Sequence, residues 1–410
     1  MTRVFDLRPI VAELSRDLIS KSIFTRFDVS DKALSARLGI LGASISIRAV
    51  VNSAGGFDVG ATGINPVATR WLHDSIVTIS RVGFAPDGKE LQVFFSGVDY
   101  SQLKAKVLDA AKLLFELRRQ EEFADYSAEL TTNMYWSSGL LNFGDWIGPH
   151  LIAHYTGRQP IQSNRQGSHV RTLYSVGSIL GWFKRNNVDV WGSGLIKPLT
   201  PEEVLVKKKL IGTRIHAVRG FRTKEDLESK LNWNVPDVFG DPGLLLPDLI
   251  PKTSKLSSDF VVVPHYIHRD EVMSSTSNIS IADVRLDVHD VVNTISTAKA
   301  VVSSSLHGLI VAQAYGVPWV RLDVNDQPLT GRDFKFEDFY SCLSRDDVSS
   351  IRVNREELSK LDYAAIAKEA SIPKLKIDLN KLRSALPISA IAAPKTGFFL
   401  DRLAPNRGSW

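Results

Sequence analysis

Apolar and polar positions change period repeatedly along the chain, and each change marks an element. Val11 to Ile23 carries apolar residues at helical spacing, and Ala43 to Val51 alternates apolar with polar as a half-buried strand does. Gly55, Gly56, Gly60 and Gly63 mark turns. Asp74 to Val82 and Lys89 to Val98 read as strands joined through Pro86-Asp87-Gly88, a hairpin-type turn. Ser101 to Phe123 reads as a long amphipathic helix, with Leu103, Val107, Ala110, Leu113, Leu114 and Leu117 on one face. No catalytic motif falls here, so residues 1–128 read as an α+β accessory region.

From about residue 130 short apolar strands alternate with helices, the pattern of parallel βαβ units. Thr132 to Trp136 reads as a strand, Leu140 to Asp145 as a turn and Trp146 to Tyr155 as a helix closed by Gly157. Arg171 to Ser175 is a strand turning at Val176 to Leu180, and Val188 to Trp191 is a strand ending in Gly192-Ser193-Gly194. Arg214 to Gly220 is a strand that runs into a turn. The pattern then restarts across Gly240-Asp241-Pro242-Gly243. Asp259 to Pro264 and Val284 to Val288 read as strands, and Asp290 to Lys299 as a helix. Val301-Val302 ends a buried strand, Leu309 to Tyr315 is an apolar helix stopped at Gly316-Val317-Pro318, and Trp319 to Leu322 is the next strand. Residues 351–384 read as helical with a break at Pro373, and residues 385–410 as a tail. The implied fold is α/β: two Rossmann-like domains with parallel sheets, 129–236 and 237–384, behind the accessory region.

The chemistry gathers at Ser303-Ser304-Ser305-Leu306-His307-Gly308, between a strand and a helix. Ligands of open α/β sheets bind beyond the carboxyl ends of strands, and a helix N-terminus offers free N–H groups to an anion. Ser303 to Gly308 is therefore a candidate phosphate cradle with an imidazole in it. The alternative is that His307 is a capping or packed histidine.

Composition narrows the classes. Of 410 residues, 44% are apolar and 23% charged, the balance of a soluble globular protein. The net charge of +5 suits an anionic small substrate or a membrane surface and is too diffuse to argue for nucleic acid. Cys342 is the single cysteine, so there is no internal disulfide and no cysteine-based zinc site. His150 and His154 lie four apart on a helix with no third ligand evident, so no metal is expected. Asp6, Arg8, Glu13, Arg16 and Asp17 interrupt any leader, and nothing reaches the roughly 18 to 20 apolar residues of a spanning helix. The expected location is cytoplasmic, with peripheral association at the inner face of a membrane open.

Six motifs occur in order: Asn142-Phe143-Gly144-Asp145, Gly177-Ser178-Ile179, Trp191-Gly192-Ser193-Gly194, His216-Ala217-Val218-Arg219-Gly220, Gly240-Asp241-Pro242-Gly243 and Ser304-Ser305-Leu306-His307-Gly308. Together, over roughly residues 130–345, they resemble the polysaccharide pyruvyl transferases. The resemblance implies a GT-B-like pair of Rossmann-like domains, the first on the acceptor side and the second on the donor side. It also implies transfer of the enolpyruvyl carbons of phosphoenolpyruvate to a sugar as a pyruvate ketal, with a saccharide acceptor, free or lipid-linked, and no cofactor. Some members carry an arginine where this chain has Ser305, and Arg222 then supplies charge that Ser305 does not.

On this reading Arg219 clamps the anionic donor through its bidentate fork. His307 is the general acid or the phosphate ligand. Asp145 is either an N-cap or a base for the acceptor hydroxyls, and Asn142 bonds the turn or the acceptor. Gly144, Gly177, Gly192 and Gly194 allow close backbone approach, with Ser178 and Ser193 in the same turns. His265 faces the cleft or packs. Two other classes share the fold: a nucleotide-sugar glycosyltransferase and a non-catalytic carbohydrate-binding protein.

Overall fold

Strand pairing sorts the chain into one antiparallel and two largely parallel sheets in a computed structural model. It describes residues 6–19, 24–30, 33–40, 43–52, 54–64, 81–84, 91–108, 127–137, 142–162, 171–253, 256–275, 279–388 and 392–394. The chain divides into two compact units. One comprises Met1–Thr131, Ser138–Leu141 and Pro394–Trp410, the other Thr132–Ser137 and Asn142–Ala393.

The first unit opens with helix α1 (Arg8–Ile19). Strands β1 (Phe24–Ser30), β2 (Ala33–Ile40), β3 (Ala43–Val51), β4 (Phe57–Ile64), β5 (Arg81–Phe84) and β6 (Leu91–Val98) follow, in the order β1-β2-β3-β4-β6-β5 with antiparallel neighbours. Ile47 and Ala49 are buried and Arg48 between them is exposed, the two-residue period of a sheet with one covered face. Helix α1 and the helical residues 100–108 supply further buried apolar side chains: Ile10, Leu14, Leu103 and Val107. Lys104 Nζ reaches Glu13 at 2.8 Å and Tyr100 Oη donates to the Asp6 carbonyl at 2.6 Å, tying the two helical segments together. Gly60 and Gly63, expected in turns, lie inside β4, because their neighbours pair with β3 and β6. The expected strand start at Asp74, the Pro86-Asp87-Gly88 turn and residues 109–126 lie outside the described residues.

The second unit holds the parallel sheets. Its first half runs from the Thr132–Tyr135 end of β7 (Ser127–Tyr135) through α2 (Phe143–Thr156), β8 (Arg158–Gln162), β9 (Thr172–Tyr174), β10 (Val188–Trp191), α3 (Pro201–Lys207), β11 (Arg214–Ala217) and α4 (Phe221–Leu231). The order is β11-β10-β9-β7, with parallel pairing throughout this run. After the short helix α5 (Leu246–Leu249) the second half continues with β12 (Val261–Val263), α6 (Arg269–Met273), α7 (Val288–Ser296), β13 (Val301–Ser303), α8 (Leu306–Ala314), β14 (Trp319–Val324), α9 (Phe334–Tyr340) and β15 (Ser350–Val353). Its sheet is β12-β13-β14-β15, all parallel. Both are mixed α/β arrangements of the Rossmann-like kind. β12 and β13 are buried along their whole length, which is why they read as unbroken apolar runs.

Three expectations are corrected here. Val284 to Val288 is not a strand: it is a turn leading into α7, whose N-cap Asp287 accepts from the Asp290 amide. The helical reading of residues 351–384 fails at its start, where β15 completes the second sheet. Helix survives there only as short pieces, among them α10 (Tyr363–Ala367) and α11 (Leu379–Ser384). Within the expected tail, Ala392–Pro394 form strand β16, which joins the first parallel sheet beside β7. Among the described residues no helix is long and apolar enough to cross a membrane.

Candidate active site

His307 is the second residue of α8, just beyond the carboxyl end of β13. The serines before it build the turn rather than a free cradle. The Ser303 hydroxyl lies 2.8 Å from the Val263 carbonyl and 3.0 Å from that of Ser305, while its oxygen accepts from the Ser305 amide. Ser305 is the N-cap of α8 and accepts from the Gly308 amide. Gly308 packs on Ser303 Oγ, where any Cβ would collide. These contacts fix where the imidazole stands.

Two glycines of the first half stand beside that ring, and Gly144 clears the space for it. A Cβ on Gly144, in the first turn of α2, would overlap His307 Nδ1. Gly177, in the turn after β9, has φ +99°, a left-handed conformation suited to glycine, and a Cβ there would lie 3.8 Å from His307 Cε1. Phe143 meets the imidazole edge-on, with centroids 6.4 Å apart. So α2, the β9 turn and α8 converge on one buried histidine. Its Nε2 is buried and has no hydrogen-bond partner among the described residues. Burial first, then the positive charges of Arg219 and Lys335, push its pKa down to about 3. The imidazole is therefore neutral at pH 7.

Lys335, which no sequence motif picks out, supplies the second element of the site. It sits on α9, is nearly buried, and its ammonium has no ion pair among the described residues. Burial pushes its pKa down to about 8, Arg219 and Arg321 push the same way, and Asp145 opposes them. The same ammonium helps hold His265 neutral: burial, Lys335, His268 and His307 all lower that residue's pKa. Asp145 is half-buried on α2 and accepts from Asn142 Nδ2 at 3.0 Å; Asn142 is the N-cap residue but makes no side-chain capping bond. The carboxylate of Asp145 also bears on Tyr135 and Tyr266, raising both phenol pKa values after burial itself. Asn142, Gly144, Asp145, Gly177, His265, His307 and Lys335 thus share one electrostatic neighbourhood.

Other expected site residues lie behind this surface. Arg219 has no accessible area, and its fork is used inside the protein. Nε donates to Asp338 Oδ2 at 2.8 Å, NH1 to Ser178 Oγ at 2.5 Å and NH2 to the Leu195 carbonyl at 2.6 Å. Asp338 is also fully buried and accepts from both the amide and the hydroxyl of Thr223. A clamp on a donor would need those N–H groups free, so the structure gives Arg219 a different place: a buried tie between the two halves, with its charge bearing on His307. Gly194 packs on this guanidinium and Gly192 on Pro242. Ser193 donates to the Gly177 carbonyl at 3.0 Å and holds the turn that faces His307. Arg222 is half-exposed on α4 and 3.7 Å from Glu337, so it does not stand in for an arginine at Ser305. Ser304 turns away, accepting from the His265 amide at 2.9 Å and bonding His268 Nδ1 at 3.1 Å.

Asp241 explains the Gly-Asp-Pro-Gly motif. It is buried, accepts from the Gly243 amide at 2.9 Å and the Gly177 amide at 3.4 Å, and burial raises its pKa to about 6. Its role is to hold the β9 turn against the next half.

Residues 162–326 match the family model for polysaccharide pyruvyl transferases. Over 216 residues the chain is 30% identical to an uncharacterised protein of Acanthamoeba polyphaga mimivirus, a match covering 50% of this chain and 70% of that one. The chain belongs to the polysaccharide pyruvyl transferase family. A solved structure of a functionally uncharacterised protein from Klebsiella pneumoniae subsp. pneumoniae NTUH-K2044 is 16% identical, covering 59% of this chain and 98% of that one at a TM-score of 0.34. The pyruvyl transferase match takes in Gly177, Arg219 and His307 and stops short of Lys335 and Asp338. The family indicates a transferase that acts on polysaccharide, and hence a saccharide acceptor.

Proposed function

We propose that this chain transfers the enolpyruvyl carbons of phosphoenolpyruvate to two hydroxyls of a saccharide, forming a cyclic pyruvate ketal, with the two Rossmann-like halves paired in the GT-B manner. One observation carries the reading: a buried neutral histidine with an unpartnered nitrogen shares its field with an ammonium that has no ion pair among the described residues. A small dianionic or trianionic substrate satisfies both. Lys335 meets the phosphate or carboxylate, and the incoming negative charge draws a proton onto His307 by offsetting the two cations that depress it. His307 then delivers that proton to the methylene carbon C3, leaving C2 cationic. A sugar hydroxyl adds at C2, the bond from C2 to the phosphate oxygen breaks, and a second hydroxyl closes the ketal. The hydroxyls release two protons: one restores His307 and one leaves with phosphate. Asp145, half-buried in the same neighbourhood, relays one of these two hydroxyl protons and ends the cycle ionised as it began. Arg219 acts through its field and by tying the halves together.

The same reading places the protein at a membrane when the acceptor is lipid-linked. Trp182, Leu205, Val206 and Ile211 are exposed, and Lys184, Lys208 and Lys209 are exposed beside them. The segments are neighbours, because Lys207 Nζ donates to the Phe183 carbonyl and the Ile211 amide to Asn186. Apolar side chains ringed by lysines suit an anionic bilayer surface.

The deciding experiment is thermal unfolding with candidate donors. Phosphoenolpyruvate raising Tm, with nucleotide sugars inert, supports the reading through preferential binding to the folded state. Stabilisation by a nucleotide sugar, with phosphoenolpyruvate inert, favours a glycosyltransferase instead.

A further inference from the structure

A cavity of about 270 Å³ opens at the carboxyl ends of β13 and β14, where Rossmann-like sheets receive ligands. At about 30 Å³ per water it has the volume of roughly nine waters, far more than one structural water needs. Its lining includes Ser304, His268, Arg321, Asp323, Arg332 and Phe336. Three arginines line it and two aspartates partly answer them. Arg321 donates to Asp323 at 3.0 Å and to Asp333 at 2.5 Å, while Arg352 reaches Asp323 at 3.3 Å. Both carboxylates are thereby engaged.

Two donors are left over. Arg321 is nearly buried with its guanidinium 3.9 Å over the Phe336 ring, and its buried Nε makes no well-aligned hydrogen bond to a described residue, with the Tyr340 phenol close to the same guanidinium. Arg332 lines the same cavity, exposed, with no ion pair or side-chain hydrogen bond to a described residue. An unanswered guanidinium and a buried N–H without a well-aligned bond, from two arginines that line one cavity, are a fit for phosphoryl oxygens.

This cavity is separate from the His307 cluster but shares a wall with it. Ser304 lines the cavity three residues before His307, and its hydroxyl bonds His268 Nδ1. His268 Nε2 in turn lies 3.0 Å from the Gln327 carbonyl, which can only accept, so that nitrogen carries the proton and Nδ1 accepts from Ser304. On the other side, Phe336 lines the cavity while its neighbour Lys335 belongs to the His307 cluster.

We propose that this cavity is a second anion subsite, taking the diphosphate of the carrier to which the acceptor saccharide is attached. The inference rests on the pyruvyl-transfer reading only in calling the bound molecule the acceptor. A diphosphate linked to a lipid and one linked to a nucleoside present the same oxygens, and the cavity is read for those oxygens.

The test is calorimetry on the full chain with methylenediphosphonate, phosphoenolpyruvate and both together. Saturable diphosphonate binding that is additive with phosphoenolpyruvate is expected. Arg332→Ala should weaken the diphosphonate at least tenfold and leave phosphoenolpyruvate unchanged, with Arg332→Lys recovering part of the loss. Lys335→Ala should do the reverse. Uridine diphosphate and a short-chain polyprenyl diphosphate then separate the carriers: either one binding in an Arg332-dependent way supports the subsite and names its source. No saturable diphosphonate binding, or binding that competes with phosphoenolpyruvate and is lost in Lys335→Ala, overturns it. Failure of the pyruvyl-transfer reading shows independently, as absence of phosphoenolpyruvate binding in the unsubstituted protein.

Discussion

In the proposed reaction His307 and Lys335 divide the work at the level of single side chains, and each role has a measurable consequence. If His307 supplies the proton to C3, His307→Gln keeps the shape and loses the acid. General acid catalysis contributes about 10² to 10⁴-fold in rate, so kcat should fall by that range while donor affinity changes less. A fall confined to donor affinity would make His307 a phosphate ligand instead. Unchanged kcat and affinity would return it to the packing role. Lys335 makes a prediction about pH. Its pKa is lowered to about 8, so the free enzyme loses the ammonium as pH rises through that value. The proposed anionic donor calls for the charged form, and kcat/KM reports ionisations of the free enzyme. The profile of kcat/KM should therefore fall above about pH 8, and Lys335→Arg, which stays charged, should lose that limb. An alkaline limb that persists in Lys335→Arg would assign it to another group. Sequence reading reaches His307 because its turn is local: three serines, a histidine and a glycine within six positions. It misses Lys335, which stands in a run of mixed charges, Arg332-Asp333-Phe334-Lys335-Phe336-Glu337-Asp338, that looks like a solvated face. What sets Lys335 apart is its nearness to Arg219, Arg321 and Asp145, residues of other elements.

At the scale of elements, α4 and α9 are joined by a charge pair with no exposure. Arg219 precedes α4 and Asp338 lies within α9. Gly220 lets them close up, since a Cβ there would overlap the Asp338 backbone carbonyl. Removing one member of a buried pair leaves an uncompensated charge and costs about 3 to 5 kcal/mol. Asp338→Asn should therefore lower stability by about that much in denaturant unfolding, with the unfolding slope unchanged. A loss under about 1 kcal/mol, the size of a solvated pair, would show that water reaches it. The strand-turn-helix units are legible because buried parallel strands are short, uniformly apolar and followed by glycine or serine turns. β9, β10 and β13 are three or four residues long, buried throughout and followed by serine or glycine turns, whereas β14 carries Arg321 and Asp323 among its apolar residues. β15 is illegible for the opposite reason: Ser350 is exposed, Ile351 half-buried and Arg352 exposed, as befits a sheet edge. Its sequence runs on into Glu- and Lys-rich positions of helical character. Reading Arg219 as a ligand goes astray at this same scale. A strand end before a glycine says that a side chain reaches the cleft region, but not that a partner 119 residues later already occupies it.

For the whole molecule, the exposed lysine-flanked apolar face gives the proposed membrane association a test. Leu205→Glu with Ile211→Glu should abolish sedimentation with anionic vesicles and leave donor binding intact, because both side chains lie on the surface. Equal sedimentation of the variant would move the docking face elsewhere. The last consequence comes from α11. Trp191, at the end of β10, donates its indole N–H to the Leu382 carbonyl at 2.8 Å, across 191 residues. Leu382 is itself fully buried, and a Cβ on Gly240 would come within 2.8 Å of its side chain. Arg383 adds two contacts to Asp248, at 2.7 and 3.1 Å. A core closed this way cannot be completed in the order in which it is made. On the ribosome, β9 and β10 emerge long before the segment that seals them, so the first sheet waits, with indole and leucine surface uncovered, until the second has been synthesised. Contacts so distant along the chain are slow to form and leave the nascent protein dependent on whatever shields that surface meanwhile.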